Sequence, residues 1–531
     1  MRVLLINPPI EDFYITRQRL YPLNLLYIGT LLKLADFKVE IINSLEYCKK
    51  TQLSIPKDFS YLKRYYHKNK SPFCLFSDYY RFGLDFLEIE ERIKKFSPDI
   101  VGISSNFSCY YETTFKVAEI VKKINKNIIV IVGGRFATTR PKFFLKNSYI
   151  DFVIRGEAEF SFFDFCRGLS FSKIKGLCYR KDNRFFIKEP VFIEDLNSIP
   201  IIDRRLIDYT KYKFKKDIST SIITSRGCIF GCKFCGIRER FRYRKAENVF
   251  KEIEDCFSLG IRHFNFEDDN INLNLEFEKL LDILIENFSK KIKISFMNGL
   301  LPINLNKSLQ DKLIKCNLTH IDFSLASVNE KYYKRIFSIS NKFAKYNIPS
   351  TVHFIVGMPE QSIKDLIFTI KLLSKERVFL GPSIFYPVIE SPLFNRIKKY
   401  TKENYKFFRS SCAYFDKDIK RDDIFLVFYI SRIINFIKKI LDKFNLDNNN
   451  FYGLLNKIEE DKNKDKDYLG MILLKKILKE NKIFRIDSSK FIEIDSSKFI
   501  EEEFINKKLL QQILNNLKIY SLFNYIKLRG W

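Results

Sequence analysis

Thr224-Ser-Arg-Gly-Cys-Ile-Phe-Gly-Cys-Lys-Phe-Cys-Gly236 sets three thiols, Cys228, Cys232 and Cys235, within eight residues on a loop punctuated by glycine. Three thiolates at this spacing can wrap one iron–sulfur cube and hold three of its four irons, which leaves the fourth open to a ligand that is not protein. A zinc site would want a fourth Cys or His at short spacing, and the next ones, Cys256 and His263, lie about two dozen residues on, beyond an expected helix. A disulfide framework does not fit a long chain with an odd total of 11 cysteines and no stretch that reads as a secretory signal. The other eight cysteines are scattered singly and read as buried thiols.

Outward from the loop, Thr220–Thr224 is the first of six strand-then-helix units between residues 219 and 395. The remaining strands are expected at His263–Phe266, Ile292–Phe296, His320–Phe323, Thr351–Val356 and Phe379–Phe385, with helix-period segments between them. This alternation predicts a partial (β/α)6 TIM-type barrel, whose chemistry belongs at the carboxyl ends of the strands, where the cysteine loop sits.

Residues 1–170 read as a second α/β unit. Arg2–Asn7, Lys38–Ile42, Asp99–Ser104 and Ile128–Gly134 are apolar strands, separated by helices near Leu23–Leu34, Leu84–Lys95 and Phe115–Ile124. Continuous apolar strands alternating with helices imply a parallel sheet covered on both faces, the doubly wound Rossmann-like arrangement. The aromatic and basic stretch Tyr47–Tyr80 reads as an irregular insertion, and residues 171–218 as a connector. Residues 396–531 are expected to form a helical region, with Ile424–Leu441 an amphipathic helix packed on the body. There Ile486-Asp-Ser-Ser-Lys-Phe-Ile-Glu493 is repeated at once as Ile494-Asp-Ser-Ser-Lys-Phe-Ile-Glu501, two copies that mark a surface loop or linker and not a solenoid.

A hydrophobic content of 46% with 16% aromatics supplies cores for several domains. The formal charge of +29 would ordinarily point to nucleic acid, but Lys, Ile, Asn and Phe are abundant throughout, so the charge reads as a chain-wide bias and no nucleic-acid partner is expected. A basic surface suits an acidic electron donor or substrate. No run of about twenty uncharged apolar residues is present, so no membrane span and a cytoplasmic protein are expected.

The Cys-x3-Cys-x2-Cys spacing, with aromatic Phe234 just before the last cysteine, resembles the signature of the radical S-adenosylmethionine (radical SAM) enzymes, and the six-unit barrel resembles theirs, open on one side for a large substrate. The resemblance implies a [4Fe–4S] cluster on Cys228, Cys232 and Cys235 whose open iron chelates S-adenosylmethionine. In that family one electron, here from a donor of the flavodoxin or ferredoxin type, cleaves it to a 5′-deoxyadenosyl radical. The resemblance also implies roles for single residues. Phe234 would lie against the adenine; Asp268, Asp269 and Asn270 end a strand where the family holds the ammonium of S-adenosylmethionine. Two acids at a strand end also serve as a helix N-cap. Asn298 would meet the ribose or carboxylate, and Ser324 and Ser327 the ribose, because Ala326 stands where many relatives carry a glutamate. Ile355, in His353-Phe-Ile-Val-Gly-Met-Pro-Glu360, would support the adenine through its backbone, while His353, in place of a family glycine, reads as a core residue.

Leu5-Ile-Asn-Pro-Pro9, Pro22-Leu-Asn-Leu-Leu-Tyr27, Pro98-Asp-Ile-Val-Gly-Ile-Ser104, Gly133-Gly134 and Asp151-Phe-Val-Ile-Arg-Gly-Glu157 resemble, in order and spacing, the cobalamin-binding-type domain that precedes many radical SAM barrels. Gly133 and Gly134 would let backbone approach a bulky ligand, and Ser104 and Ser105 would offer hydroxyls to it. The Asp-x-His-x-x-Gly loop that supplies an axial histidine is absent, and the first histidine is His67. A cobalamin would therefore bind without histidine ligation. The function implied is methyl transfer to an unactivated carbon, with S-adenosylhomocysteine and 5′-deoxyadenosine as products. A cobalamin-independent radical SAM enzyme that cyclises, rearranges or oxidises stays open, as does a non-enzymatic iron–sulfur protein with a fourth ligand such as Cys256. The substrate is left open among small-molecule, lipid and peptide classes.

Overall fold

Val3, Leu4, Leu5 and Ile6 are all 1% exposed or less, so Arg2–Asn7 is buried on both faces, as a central strand of a parallel sheet must be. Around it the computed structural model places Lys38–Asn43, Arg2–Asn7, Ile100–Ser104, Ile129–Gly133 and Phe152–Ile154 side by side and parallel. The order reverses between Arg2–Asn7 and Ile100–Ser104, which opens a crevice at their carboxyl ends. Residues 1–15, 20–47, 49–66, 71–76, 78–325, 329–401, 404–412, 419–444 and 466–480 are described, with short pieces at 482, 484–486, 499–501 and 510.

Two expectations are corrected here. Leu177–Lys181 and Arg184–Phe186, read as part of a connector, extend the first sheet antiparallel at its edge, because Leu177 and Cys178 are fully buried. The stretch read as an irregular insertion contributes Lys50–Leu53 and Tyr79–Phe82 to a small antiparallel sheet with Ile10–Asp12. Its rings then bracket the C-terminal helices: Tyr65 stacks on Phe425 at 4.2 Å and Phe73 meets Phe436 edge-on at 5.2 Å.

The barrel has the six expected strands in two parallel halves. Asp217–Ile222, His263–Phe266 and Lys293–Phe296 form one, Ile321–Ser324, Ser350–Val356 and Phe379–Ile384 the other, joined at an isolated bridge between Ile294 and Leu318. The first strand starts and ends earlier than expected, because Lys213–Phe214 folds back on it and Thr224 turns to bind Asp268. Strand alternation sends Phe264, Phe266, Ile294, Phe296, Val352 and Phe354 outward into the main core with the helices. It sends mostly polar residues inward.

Helix Arg421–Phe444, longer than the expected Ile424–Leu441, covers the last strand. Asn435 accepts from Leu380 N (2.8 Å) and donates to Leu380 O (2.7 Å), satisfying backbone that an open sheet edge would leave bare. Phe484–Ile486 and Phe499–Glu501 pair antiparallel, flanking residues 487–498; most of the tandem repeat thus lies outside the described residues. Among the described residues no helix is long and apolar enough to cross a membrane.

Candidate functional site

Ser225–Arg226 pairs antiparallel with Arg242–Tyr243, so residues 227–241 close as the loop of a hairpin. Gly227 makes the turn at φ +84°, and a Cβ there would fall 2.4 Å from the Arg240 carbonyl oxygen. Within the loop, Cys228 N donates to Glu239 O at 3.3 Å and Cys235 N to Cys232 O at 3.2 Å. Asp268 anchors its entry. Its buried carboxylate accepts from Thr224 N (3.0 Å), the Thr224 hydroxyl (2.7 Å) and the Ser225 hydroxyl (2.5 Å).

The three thiols are partly exposed and close enough to act on one another. Burial, then Cys235 and Cys228, push the Cys232 thiol above its ordinary value. Donors already face the sulfurs: Asn270 Nδ2 lies 3.2 Å from Cys228 Sγ, Phe230 N 3.5 Å from the same atom, and Ile237 N 3.4 Å from Cys235 Sγ. Hydrogen bonds to sulfur favour thiolates and tune a bound cluster. Among the described residues no three His, Cys, Asp or Glu side chains converge as a single metal ion requires, whereas a cube takes each thiolate on a different iron. Three thiols on one loop with donors facing their sulfurs fit an iron–sulfur cluster. Cys256 takes no part: it is buried in helix Ala246–Ser258, with Arg204 and Glu252 as its charged neighbours, and burial pushes its thiol up to about 12.

The other expected residues divide. Phe234 and Ile355 pack against one apolar cluster together with Met358 and Ile389. Asp269 faces the cavity described below and Asn270 faces Cys228, whereas Asp268 is spent on the loop entry. Asn298 Nδ2 donates to Glu267 O and Asp268 O, both at 3.1 Å, stitching two strand ends. Ser324 is exposed at its strand end, and Ser327 lies outside the described residues.

A cavity of about 630 Å³ opens between the two domains. Ser104, Asn106, Gly133 and Gly134 line it from the first sheet; Gly236, Glu267 and Asp269 line it from the barrel. A Cβ on Gly133 would meet only the Ile154 carbonyl oxygen, at 4.0 Å, so the missing side chain is open ligand space. An apolar slot lined by Leu5, Ile131, Ile154 and Phe162 runs back from the sheet ends, and at Gly102 a Cβ would fall 2.9 Å from both Leu5 and Phe162. A bare glycine and an apolar stretch of lining leave room for a bulky, partly apolar ligand. Ser105 does not line this cavity; it is buried, its hydroxyl without a partner among the described residues. Among the described residues no histidine lines the cavity.

Charged pairs that sequence reading passed over close the seam beside it. Arg226 binds Glu159 at 2.6 Å and Glu157 at 3.3 Å, and Arg135 reaches from the first domain to Glu239 at 3.0 Å and to the Gly236 carbonyl. The one available signal was Arg155-Gly-Glu157, read only as a landmark.

The family model of the radical SAM superfamily matches residues 222–373, the loop and most of the barrel, and that of the B12 binding domain matches residues 79–162. This chain carries a radical SAM domain and a B12 binding domain. As a radical SAM enzyme it uses a [4Fe–4S] cluster and S-adenosylmethionine. An uncharacterised methyltransferase of Pyrococcus horikoshii is 28% identical to it over 312 residues, covering 55% of this chain and 67% of that protein. The cytidylyl-2-hydroxyethylphosphonate methyltransferase of Streptomyces wedmorensis is 23% identical over 409 residues, covering 67% of this chain and 73% of that one. The structure of the cobalamin-dependent S-adenosylmethionine radical enzyme OxsB with aqua-cobalamin bound matches this radical SAM enzyme with a TM-score of 0.58 at 13% identity, over 98% of this chain and 80% of that one, a likeness of fold.

Proposed function

We propose that this radical SAM enzyme is a cobalamin-dependent methyltransferase acting on an unactivated carbon. The observation that carries the reading is the cavity bounded at once by the strand ends of the first sheet and by the cluster loop, which sets a corrin-sized space against the site of radical generation. The relatives named as methyltransferases support methyl transfer. When bound, the cofactors supply the radical that removes a hydrogen atom and the methyl group that replaces it.

The chain's own residues hold and orient. Cys228, Cys232 and Cys235 bind the cluster, with Asn270 against the first thiolate. Asp269 and Asn270 offer a carboxylate and an amide to S-adenosylmethionine, and Phe234 and Ile355 enclose its adenine. Ser104, Gly133 and Gly134 face the corrin. The charged seam ties the first domain to the cluster loop. A reduced flavodoxin or ferredoxin in the cytoplasm supplies the electron.

The test is titration of anaerobically reconstituted protein with hydroxocobalamin, followed by desalting and absorption spectroscopy. Stoichiometric retention with a base-off spectrum is expected, because no histidine among the described residues lines the cavity. An intact cluster with no retained cobalamin would reject the corrin and leave a radical SAM enzyme with a scaffold domain. Methyl transfer requires S-adenosylhomocysteine alongside 5′-deoxyadenosine.

A further inference from the structure

His353 was expected in the core, yet its side chain is 44% exposed in the middle of Ser350–Val356, a strand hydrogen-bonded on both edges. Val352, Phe354 and Val356 point outward into the core, so His353 faces the barrel interior. Register places Ser324, His353 and Gly381 side by side, Asp322 beside Thr351, and Ile355 beside Ser383. These residues form one inward face.

Asp322 bridges two imidazoles: Oδ1 lies 3.4 Å from His353 Nε2 and Oδ2 lies 3.4 Å from His320 Nε2. A carboxylate accepts only, so Nε2–H of His353 donates to it. Gly381 seats the ring, since a Cβ there would fall 2.5 Å from His353 Nδ1. The hydroxyls of Ser324, Thr351 and Ser383 have no hydrogen-bond partner among the described residues, and no lysine or arginine there pairs with Asp322. A face made of hydroxyls and one carboxylate shared by two imidazoles, without a lysine or arginine on that carboxylate, is matched neither to an anion nor to an acyl chain. Ile355, on the same face, packs against the apolar cluster that also takes Phe234.

We propose that this face recognises the substrate, and that it takes a neutral, hydroxyl-rich, sugar- or polyol-type group through Asp322, His353, Thr351 and Ser383, beside the Ser324 strand end that the resemblance gives to the ribose of S-adenosylmethionine. The proposal rests on the radical SAM reading and narrows its substrate from the lipid and peptide classes. His353 and Asp322 act as specificity-determining residues, and Gly381 positions the imidazole.

The experiment incubates the reconstituted, reduced holoenzyme with S-adenosylmethionine and, in separate reactions, uniformly deuterated glycerol, glucose or decanoate, and measures deuterium in 5′-deoxyadenosine by mass spectrometry. Deuterium from a polyol, and little from decanoate, is expected. Asp322→Asn and the milder Ser383→Ala should each lower the deuterated fraction of the 5′-deoxyadenosine formed, the former about tenfold, the weight of one hydrogen bond to a charged group. Taking a fraction of product formed separates recognition from loss of folded enzyme. Deuterium mainly from decanoate, deuterium from neither polyol, or a fraction untouched by both substitutions would overturn the proposal. Failure of the radical SAM reading would look different: no 5′-deoxyadenosine at all, labelled or not.

Discussion

Arg242 donates from both terminal guanidinium nitrogens to the two carboxylate oxygens of Glu157, at 2.9 and 2.8 Å, across the boundary between the first sheet and the barrel. The fork matches the carboxylate, and both side chains are largely buried, so the pair fixes how the cluster loop meets the cobalamin-type domain. Arg242→Ala leaves the largely buried Glu157 with the Ile193 amide at 2.7 Å and the longer Arg226 contact, without its fork, and should cost about 3 kcal/mol. Urea unfolding measures the loss, and limited proteolysis of residues 187–216 should accelerate with it. Arg242→Lys should rescue only in part, because an ammonium cannot make the fork. Wild-type stability in the alanine variant would show that the seam is held elsewhere.

Asn270 donates to Cys228 Sγ, the one side-chain hydrogen bond to a cluster thiol among the described residues. Such bonds withdraw charge from sulfur and make a cluster easier to reduce. Asn270→Ala should keep the cluster's absorption and shift its midpoint potential negative in a potentiometric titration followed by paramagnetic resonance. An unmoved potential would mean that Asn270 leaves the sulfur once the cluster is bound.

Gly133→Leu tests the cavity by filling it. The position lacks a positive φ, and a Cβ meets nothing closer than 4.0 Å, so the fold should tolerate the change. The larger side chain occupies the ligand space, and cobalamin retention should fall roughly tenfold or more with cluster content unchanged. Full retention would place the corrin away from this glycine.

Lys438 stands buried in Arg421–Phe444 and donates to the carbonyls of Leu373 (2.9 Å), Glu376 (2.9 Å) and Val378 (2.7 Å). Burial lowers its ammonium from 10.5 to about 7. Between those values the unfolded chain binds a proton that the native state does not, so stability should rise with pH across that window. Lys438→Met should abolish that slope and cost about 3 kcal/mol by leaving the carbonyls unpartnered. Urea unfolding at the two ends of the window reads both effects. A flat wild-type profile would show that the lysine stays charged.

Much of the fold was legible because its signals are local. The three cysteines share one loop, and six apolar runs at regular spacing leave little choice but a partial barrel. The misreadings came from pairing at a distance. Leu177–Lys181 looked like a connector because it is short, runs antiparallel to its sheet neighbours and carries no helix after it. Tyr47–Tyr80 looked irregular because its aromatic residues pack on Phe425 and Phe436, more than 300 positions away in the chain. Asp268 and Asp269 are adjacent and chemically identical, so only the path of the chain beyond the strand end at Phe266 could turn one to the loop entry and the other to the cavity.

The sequence by itself determined the cluster loop, the order of two α/β units and the absence of an axial histidine loop, since each is written in contiguous residues. Tertiary structure alone decided that Arg242 meets Glu157, that the two sets of strand ends enclose one cavity, and that His353 faces the barrel interior beside Asp322. Those facts depend on strand register and domain docking. They arise from many weak contacts summed over the whole chain, which no single stretch encodes.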